Sequence, residues 1–236
     1  MIKVAVIIPT LNEAGNIYPL VREVQQVRVP NADLAPIVVD NGSTDLTAEE
    51  ARRAGAQVIH ERRPGYGYAC AAGVAAAATA EVLVFLDGDF SSLPSELPVV
   101  LEPVLSGRVD LSIGSRELGG IAPGAMPHHQ RYGNRLATWL MNRLYNLSLT
   151  DLGPYRAIRR ELLISLGMRE MTYGWPTEMT VKAARRKARL VEVPVSFHSR
   201  RSGRSKVSGT LRGTFLAAWF ILGVTLRYAW SKSPVE

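Results

Sequence analysis

The chain has 236 residues, 47% of them apolar, and 28 Lys and Arg against 21 Asp and Glu give a formal charge of +7. This fits one sizeable α/β domain with its own core and excludes a disordered or low-complexity chain. Its one cysteine, Cys70, excludes an intrachain disulfide framework and fits a reducing compartment.

The N-terminus reads as a strand rather than a signal peptide, because Lys3 runs at once into an apolar stretch ending in Pro9. Apolar, β-branched runs at 4–8, 37–39, 58–59, 82–86 and 111–113 predict strands. Helix-compatible segments at 17–27, 48–54, 69–79 and 97–105 lie between them. This alternation predicts a mainly parallel sheet with helices on both faces. The Ala-rich stretch 69–80 suits a helix pressed closely on the sheet. Further on, apolar positions 136, 139, 140, 144 and 147 have the spacing of an amphipathic helix, and 190–197 reads as another strand. Histidines 128 and 129 follow Met126-Pro127 and read as loop residues. Residues 213–226 carry no charge; they are too few to span a bilayer and suit a core helix, an oligomer interface or a helix lying in a membrane surface.

The charge is uneven. Between Lys182 and Arg212 stand ten basic residues and one acid, Glu192, a local +9 that leaves −2 for the rest. Such a segment meets an anion, although 182–189 also reads as a solvated helix face.

Four successive predicted strands end in polar or glycine-rich loops, and a parallel sheet brings those ends to one edge. They are Ile8-Pro9-Thr10-Leu11-Asn12-Glu13, Val39-Asp40-Asn41-Gly42-Ser43-Thr44-Asp45, Arg63-Pro64-Gly65-Tyr66-Gly67-Tyr68 and Leu86-Asp87-Gly88-Asp89. Two carboxylates one residue apart at a strand exit suit a divalent ion that itself holds a diphosphate. Glycines 65 and 67 would let backbone approach a ligand at a helix N-terminus.

With these motifs the chain resembles the inverting family-2 glycosyltransferases of the GT-A fold, most of all the dolichyl- or polyprenyl-phosphate sugar synthases. The resemblance runs from residue 4 to residue 212. Beyond the strand ends it includes Gly114-Ser115-Arg116, Arg131 with Gly133-Asn134, Thr150-Asp151-Leu152-Gly153 leading into Tyr155-Arg156-Ala157, and Glu192-Val193-Pro194. The run Arg200-Arg201 with Gly203, Ser205 and Lys206 is the part most particular to lipid-phosphate synthases. The resemblance implies a GT-A domain over 1–212, a Rossmann-like α/β sheet flanked by helices. Tyr228 and Trp230 beside Arg227 and Lys232 favour an apolar, membrane-interfacial helix over 213–236 among the readings open for that stretch.

It further implies that Pro9, Thr10, Glu13 and Asp40 serve the nucleoside end of a UDP- or GDP-sugar. Asp87 would face the ribose and the glycine loop of Gly65 and Gly67. Asp89 would hold Mg²⁺ or Mn²⁺. Arg116, Arg131, Arg200 and Lys206, with Ser205, would surround the donor diphosphate and a polyprenyl phosphate acceptor, and Asp151 and Glu178 would sit near sugar and acceptor. Two positions depart from the pattern: Asn41 stands where a second Asp is common, and Ser91 stands where a metal-binding Gln is common. The implied protein is cytoplasmic, peripheral on the inner face of the cell membrane, and binds an anionic surface rather than nucleic acid.

A phosphate acceptor is already an oxyanion and needs cations around it more than a base. The competing reading, a soluble transferase acting on a sugar or protein hydroxyl, would take Glu178 as its base. A nucleic-acid module would explain the +9 segment but not the acidic strand ends.

Overall fold

The computed structural model describes residues 1–203 and 221–229. One seven-stranded sheet has the order β3-β2-β1-β4-β6-β5-β7. Its strands are β1 (Ile2–Thr10), β2 (Ala32–Asp40), β3 (Gln57–His60), β4 (Val82–Phe85), β5 (Leu111–Ser115), β6 (Arg156–Arg159) and β7 (Leu190–Pro194). Only β6 runs antiparallel to its neighbours. The helices are α1 (Ala14–Gln26), α2 (Thr47–Arg53), α3 (Tyr66–Ala76), α4 (Leu97–Leu105), α5 (Arg116–Gly119), α6 (His128–Tyr145), α7 (Arg160–Ser165) and α8 (Trp175–Arg185).

Both faces of the sheet are covered, which is why its central strands read as unbroken apolar runs rather than alternating ones. Val4, Val6 and Ile8 of β1 join Ile17, Leu20 and Val24 of α1 and Leu97 and Leu101 of α4 in one layer. Ala5 and Ile7, pointing the other way, join Ala69 and Val74 of α3, Met141 of α6 and Met179 of α8. A Cβ on Gly73 would run into Ile7, so α3 lies as close to the sheet as its alanines suggest.

Three sequence expectations change. The strand β6 was hidden in Arg-Ala-Ile-Arg: it enters between β4 and β5, with Arg156 only 1% exposed. That guanidinium donates to the carbonyls of Gly153 and Pro176 and to Thr180 Oγ1, and burial lowers its pKa to about 10. Histidines 128 and 129 open α6 rather than lying in a loop. Lys182 is not on a solvated face: it is buried and pairs with Glu178 at 2.9 Å.

Residues 221–229 form a helix, with Val224 and Thr225 buried. The Tyr145 hydroxyl donates to the Thr225 carbonyl at 2.5 Å, joining this C-terminal helix to α6. Among the described residues no helix is long and apolar enough to cross a membrane. Ser205, Lys206 and most of the apolar stretch 213–226 lie outside the described residues.

Candidate active site

Six parallel strands bring their C-terminal ends to one edge, and the antiparallel β6 begins there. In register, Thr10 stands beside Asp40, Asp40 beside His60, and Ile7 beside Phe85. The chain leaves β1 toward α1 and β2 on one side, while β4 lies on the other. That reversal is where open α/β sheets bind ligands, and the acids follow there.

A loop after β7 crosses this crevice. His198 N–H donates to the Ser91 carbonyl at 2.9 Å, Arg201 N–H to the Asp89 carbonyl at 3.2 Å, and Asn16 Nδ2 to the Ser202 carbonyl at 3.2 Å. Arg200 thereby reaches two acids: it bonds Glu13 and lies 3.4 Å from Asp89 Oδ2. Glu13 also accepts from Asn16 Nδ2 at 2.8 Å. Arg201 lies over the ring of Phe90 at 5.2 Å. Phe90 itself has φ 63°, a left-handed conformation that costs energy for a bulky residue and turns the chain sharply after Asp89.

Burial and the charge of Asp89 push the Asp87 carboxyl up to about 7, although the Tyr66 hydroxyl donates to it at 3.2 Å. Asp89 Oδ1 accepts from the Ser91 N–H at 2.9 Å. Two carboxylates close together in a crevice, one of them pushed up partly by the charge of the other, form a donor set short of positive charge, and a divalent cation fits it. Ser91 is buried beside Asp89. Among the described residues no group of three or more His, Cys, Asp or Glu is arranged to hold a metal alone, so such an ion would share its shell with ligand or water oxygens.

Asp40 accepts from Ser43 N–H at 3.0 Å and faces His60 Nδ1 at 3.1 Å. Arg52 Nη2 meets His60 Nε2 at 2.6 Å. A guanidinium only donates, so Nε2 accepts and the neutral imidazole donates through Nδ1 to Asp40. Pro9 and Thr10 end β1, and the Thr10 hydroxyl is committed to the Val39 carbonyl at 3.0 Å.

Asn41, the first departure from the family pattern, has structural work that an aspartate could not perform. Its Nδ2 donates to the carbonyls of Glu61 and Arg63 at 2.9 and 2.7 Å, and its Oδ1 accepts from Gly65 N–H at 2.9 Å. Asn41→Asp sets a charge against two carbonyl oxygens. It is expected to loosen the loop, with the Gly65 amide exchanging about tenfold faster, as hydrogen exchange would read.

Asp151 is wholly buried and accepts Arg116 through Nε and Nη2, both at 2.7 Å, and through its backbone N–H at 2.8 Å. Glu192 in turn holds the N–H groups of Thr150 and Asp151 at 2.8 and 2.9 Å. Asp151 therefore aims Arg116, whose guanidinium lies 5.0 Å from the Phe197 ring centre. Arg131 grips Glu117, the residue after Arg116, with two bonds of 2.8 Å.

The structure gives Gly65, Gly67 and Glu178 surroundings made of protein. The Met171 carbonyl accepts from the N–H groups of Gly67 and Tyr68 at 3.1 and 3.3 Å, capping the α3 N-terminus. A Cβ on Gly65 would lie 2.5 Å from that carbonyl oxygen, and one on Gly67 would lie 2.5 Å from the Glu170 oxygen. Glu178 accepts from Arg169 and Glu170 N–H on one oxygen, and from Tyr228 Oη and Lys182 Nζ on the other. Burial would raise its pKa, but these donors outweigh that and hold the carboxyl below its ordinary value. Sequence reading missed Tyr66, His60 and Glu192 as partners of site residues. Tyr66 carried a signal, an aromatic hydroxyl between two glycines at a strand exit, and Glu192 stood in a quoted motif without a role; His60 carried none.

Comparison with known proteins fits this arrangement. The model of glycosyl transferase family 2 matches residues 5–167. An uncharacterized glycosyltransferase of Mycobacterium tuberculosis is 39% identical over 214 residues, 91% of this chain and 94% of that protein. The undecaprenyl-phosphate mannosyltransferase of Micrococcus luteus is 34% identical over 89% of this chain and 90% of its own. Polyprenol monophosphomannose synthase of Mycolicibacterium smegmatis is 33% identical over 87% and 81% respectively. Glucosyl-3-phosphoglycerate synthase from M. tuberculosis, solved with Mg²⁺ and UDP, superposes with a TM-score of 0.78 over 98% of this chain and 80% of that one. At 23% identity that likeness speaks for the GT-A fold. With the family model spanning most of the sheet and relatives above 30% identity over nearly its whole length, the chain belongs to glycosyl transferase family 2 and is a glycosyltransferase.

Proposed function

We propose that this enzyme transfers a hexose from a UDP- or GDP-sugar to a polyprenyl phosphate, with inversion at the anomeric carbon. The observation that carries this reading is the loop that brings Arg200 to Glu13 and Asp89 at the strand-end edge. An anionic acceptor must approach an anionic donor, and a guanidinium poised over the acids offsets that repulsion. Both oxygens of Glu178 already accept two donors each, which disfavours its use as a base toward a hydroxyl acceptor. The names of the M. luteus and M. smegmatis relatives support a lipid phosphate acceptor.

Asp89, with Ser91 beside it, would hold Mg²⁺ or Mn²⁺, which supplies charge stabilisation for the leaving nucleoside diphosphate. Asp40, supported by the His60 N–H, accepts an N–H from the base. Arg116, aimed by Asp151, and Arg131 behind it face the diphosphate side, while Arg200, Lys206 and the hydroxyl of Ser205 meet the acceptor phosphate. A phosphate oxygen of the lipid attacks the anomeric carbon in line, the bond to the diphosphate oxygen breaks, and its electron pair leaves with the nucleotide. The acceptor places the enzyme peripherally at the inner membrane face, with 213–236 nearest the anionic lipid.

Arg200→Ala tests the assignment. Turnover on undecaprenyl phosphate in mixed micelles is expected to fall about a hundredfold, while Mn²⁺-dependent UDP or GDP affinity changes no more than about threefold. An equal loss of both would move Arg200 to the donor diphosphate. Faster turnover of a soluble sugar acceptor than of lipid phosphate would overturn the reading.

A further inference from the structure

We infer that the docked C-terminal helix sets the geometry of the donor site through Glu178, which makes Tyr228 and Glu178 positioning residues for a reaction they do not touch. The inference rests on the proposed donor site and names a control over it. It starts from the position of Glu178. A buried carboxylate on α8 with two donors on each oxygen is placed like a keystone, joining segments distant in sequence.

The route is continuous. The Tyr228 hydroxyl of the C-terminal helix donates to Glu178 Oε1 at 2.6 Å, with Lys182 Nζ at 2.9 Å on the same oxygen and 5.2 Å from the Tyr228 ring centre. Lys182 Nζ is further anchored by the Gly167 carbonyl at 2.6 Å. Glu178 Oε2 draws in the N–H groups of Arg169 and Glu170 at 2.9 and 2.7 Å. That fixes the loop whose next carbonyl, Met171, caps Gly67 and Tyr68 at the start of α3. Tyr66 lies in the same first turn, and its hydroxyl reaches Asp87 at 3.2 Å. Each link is a hydrogen bond or a backbone step, and the glycines at 65 and 67 leave no slack because the loop backbone sits where their side chains would be.

The physical argument concerns what happens when the first link is lost. Without the hydroxyl, Lys182 shares Glu178 Oε1 alone, the carboxylate is free to rotate toward it, and the two amide bonds on Oε2 weaken together. The Met171 carbonyl then caps α3 less firmly, and Tyr66 loses its fixed approach to Asp87. Val224 reinforces the link, since its Cγ2 would touch a Cβ added at Gly174, just before α8. A helix that settles on or lifts from a lipid surface would therefore alter donor binding with no residue of its own in the donor site.

The test is Tyr228→Phe in the full-length protein, read by amide hydrogen exchange resolved at Gly67 and Tyr68 and by calorimetric affinity for UDP and GDP with Mn²⁺. The control is Ile17→Val, a core change on the opposite face of the sheet. Exchange at the two amides is expected to rise about tenfold, and nucleotide affinity to fall about threefold or more, while Ile17→Val alters both little. Glu178→Gln, which keeps an acceptor for the amides but no charge for Lys182, is the second variant and is expected to change both in the same direction. Unchanged exchange at Gly67 and Tyr68, or a rise no larger than in Ile17→Val, overturns the inference. So does faster exchange with unchanged affinity. If neither nucleotide binds the wild type, the donor reading falls, and the exchange at these amides still decides whether the helix controls α3.

Discussion

Asp89→Asn is expected to abolish transfer, with a loss of at least about 10³-fold, while the protein stays folded and becomes more stable in the absence of metal. The fold is safe because an amide oxygen can still accept from Ser91 N–H and because Arg200 keeps Glu13. Stability is expected to rise because of Asp87. Burial and the Asp89 charge hold its carboxyl up at about 7, above its value in the unfolded chain. A raised acid favours the native state while it is protonated, and that contribution is lost as pH climbs from about 4 through 7. Removing the Asp89 charge lowers the Asp87 pKa and returns part of that loss. In the wild type, Mn²⁺ should raise the melting temperature more at pH 8 than at pH 5, because the ion prefers the ionised pair. In Asp89→Asn that pH-dependent gain should vanish. Thermal scans at the two pH values with Mn²⁺ or EDTA check all three signs. Wild-type activity that survives EDTA would remove the metal from Asp89.

The second large effect is expected at Asp151. Arg116 is only 8% exposed, and Asp151 is its bidentate partner. Asp151→Asn leaves a buried guanidinium facing an amide that cannot balance its charge, and removing one partner of such a pair costs about 3–5 kcal/mol. At about 2–4 °C per kcal/mol for a domain of this size, the melting temperature should fall by about 6–20 °C. Activity should fall further than stability explains, since Arg116 loses its aim. The double variant Arg116→Met, Asp151→Leu separates the two effects. Replacing both charges with apolar groups should recover most of the melting temperature and none of the transfer. Recovery of transfer in the double variant would show that Arg116 has no part in the chemistry.

The strand ends were legible because a parallel strand covered on both faces needs an apolar run, and β1, β2 and β4 have one. The acids that follow such runs stand out against them. By contrast, β6 has only Ala157 and Ile158 between arginines, and its burial depends on carbonyls of Gly153 and Pro176 that no local pattern announces. The glycines at 65 and 67 signalled a close approach correctly, but not what approaches; the Met171 backbone comes from across the fold. Glu178 was visible in the sequence only as an acid. Its four donors come from the helix itself, from the loop before it and from Tyr228, so only the folded chain shows a saturated carboxylate. Asn41 was read as a missing charge, and its hydrogen bonds show instead an added pair of donors.

The position of β6 in the sheet also shapes how the protein is made. As the chain leaves the ribosome, β1 to β4 can pair early, but the outer edge of β4 stays bare until β6 emerges, after β5 in sequence. The first turn of α3 likewise waits for Met171. An unfinished chain thus displays an open strand edge and an uncapped helix, the surfaces that invite aggregation and chaperone binding during synthesis.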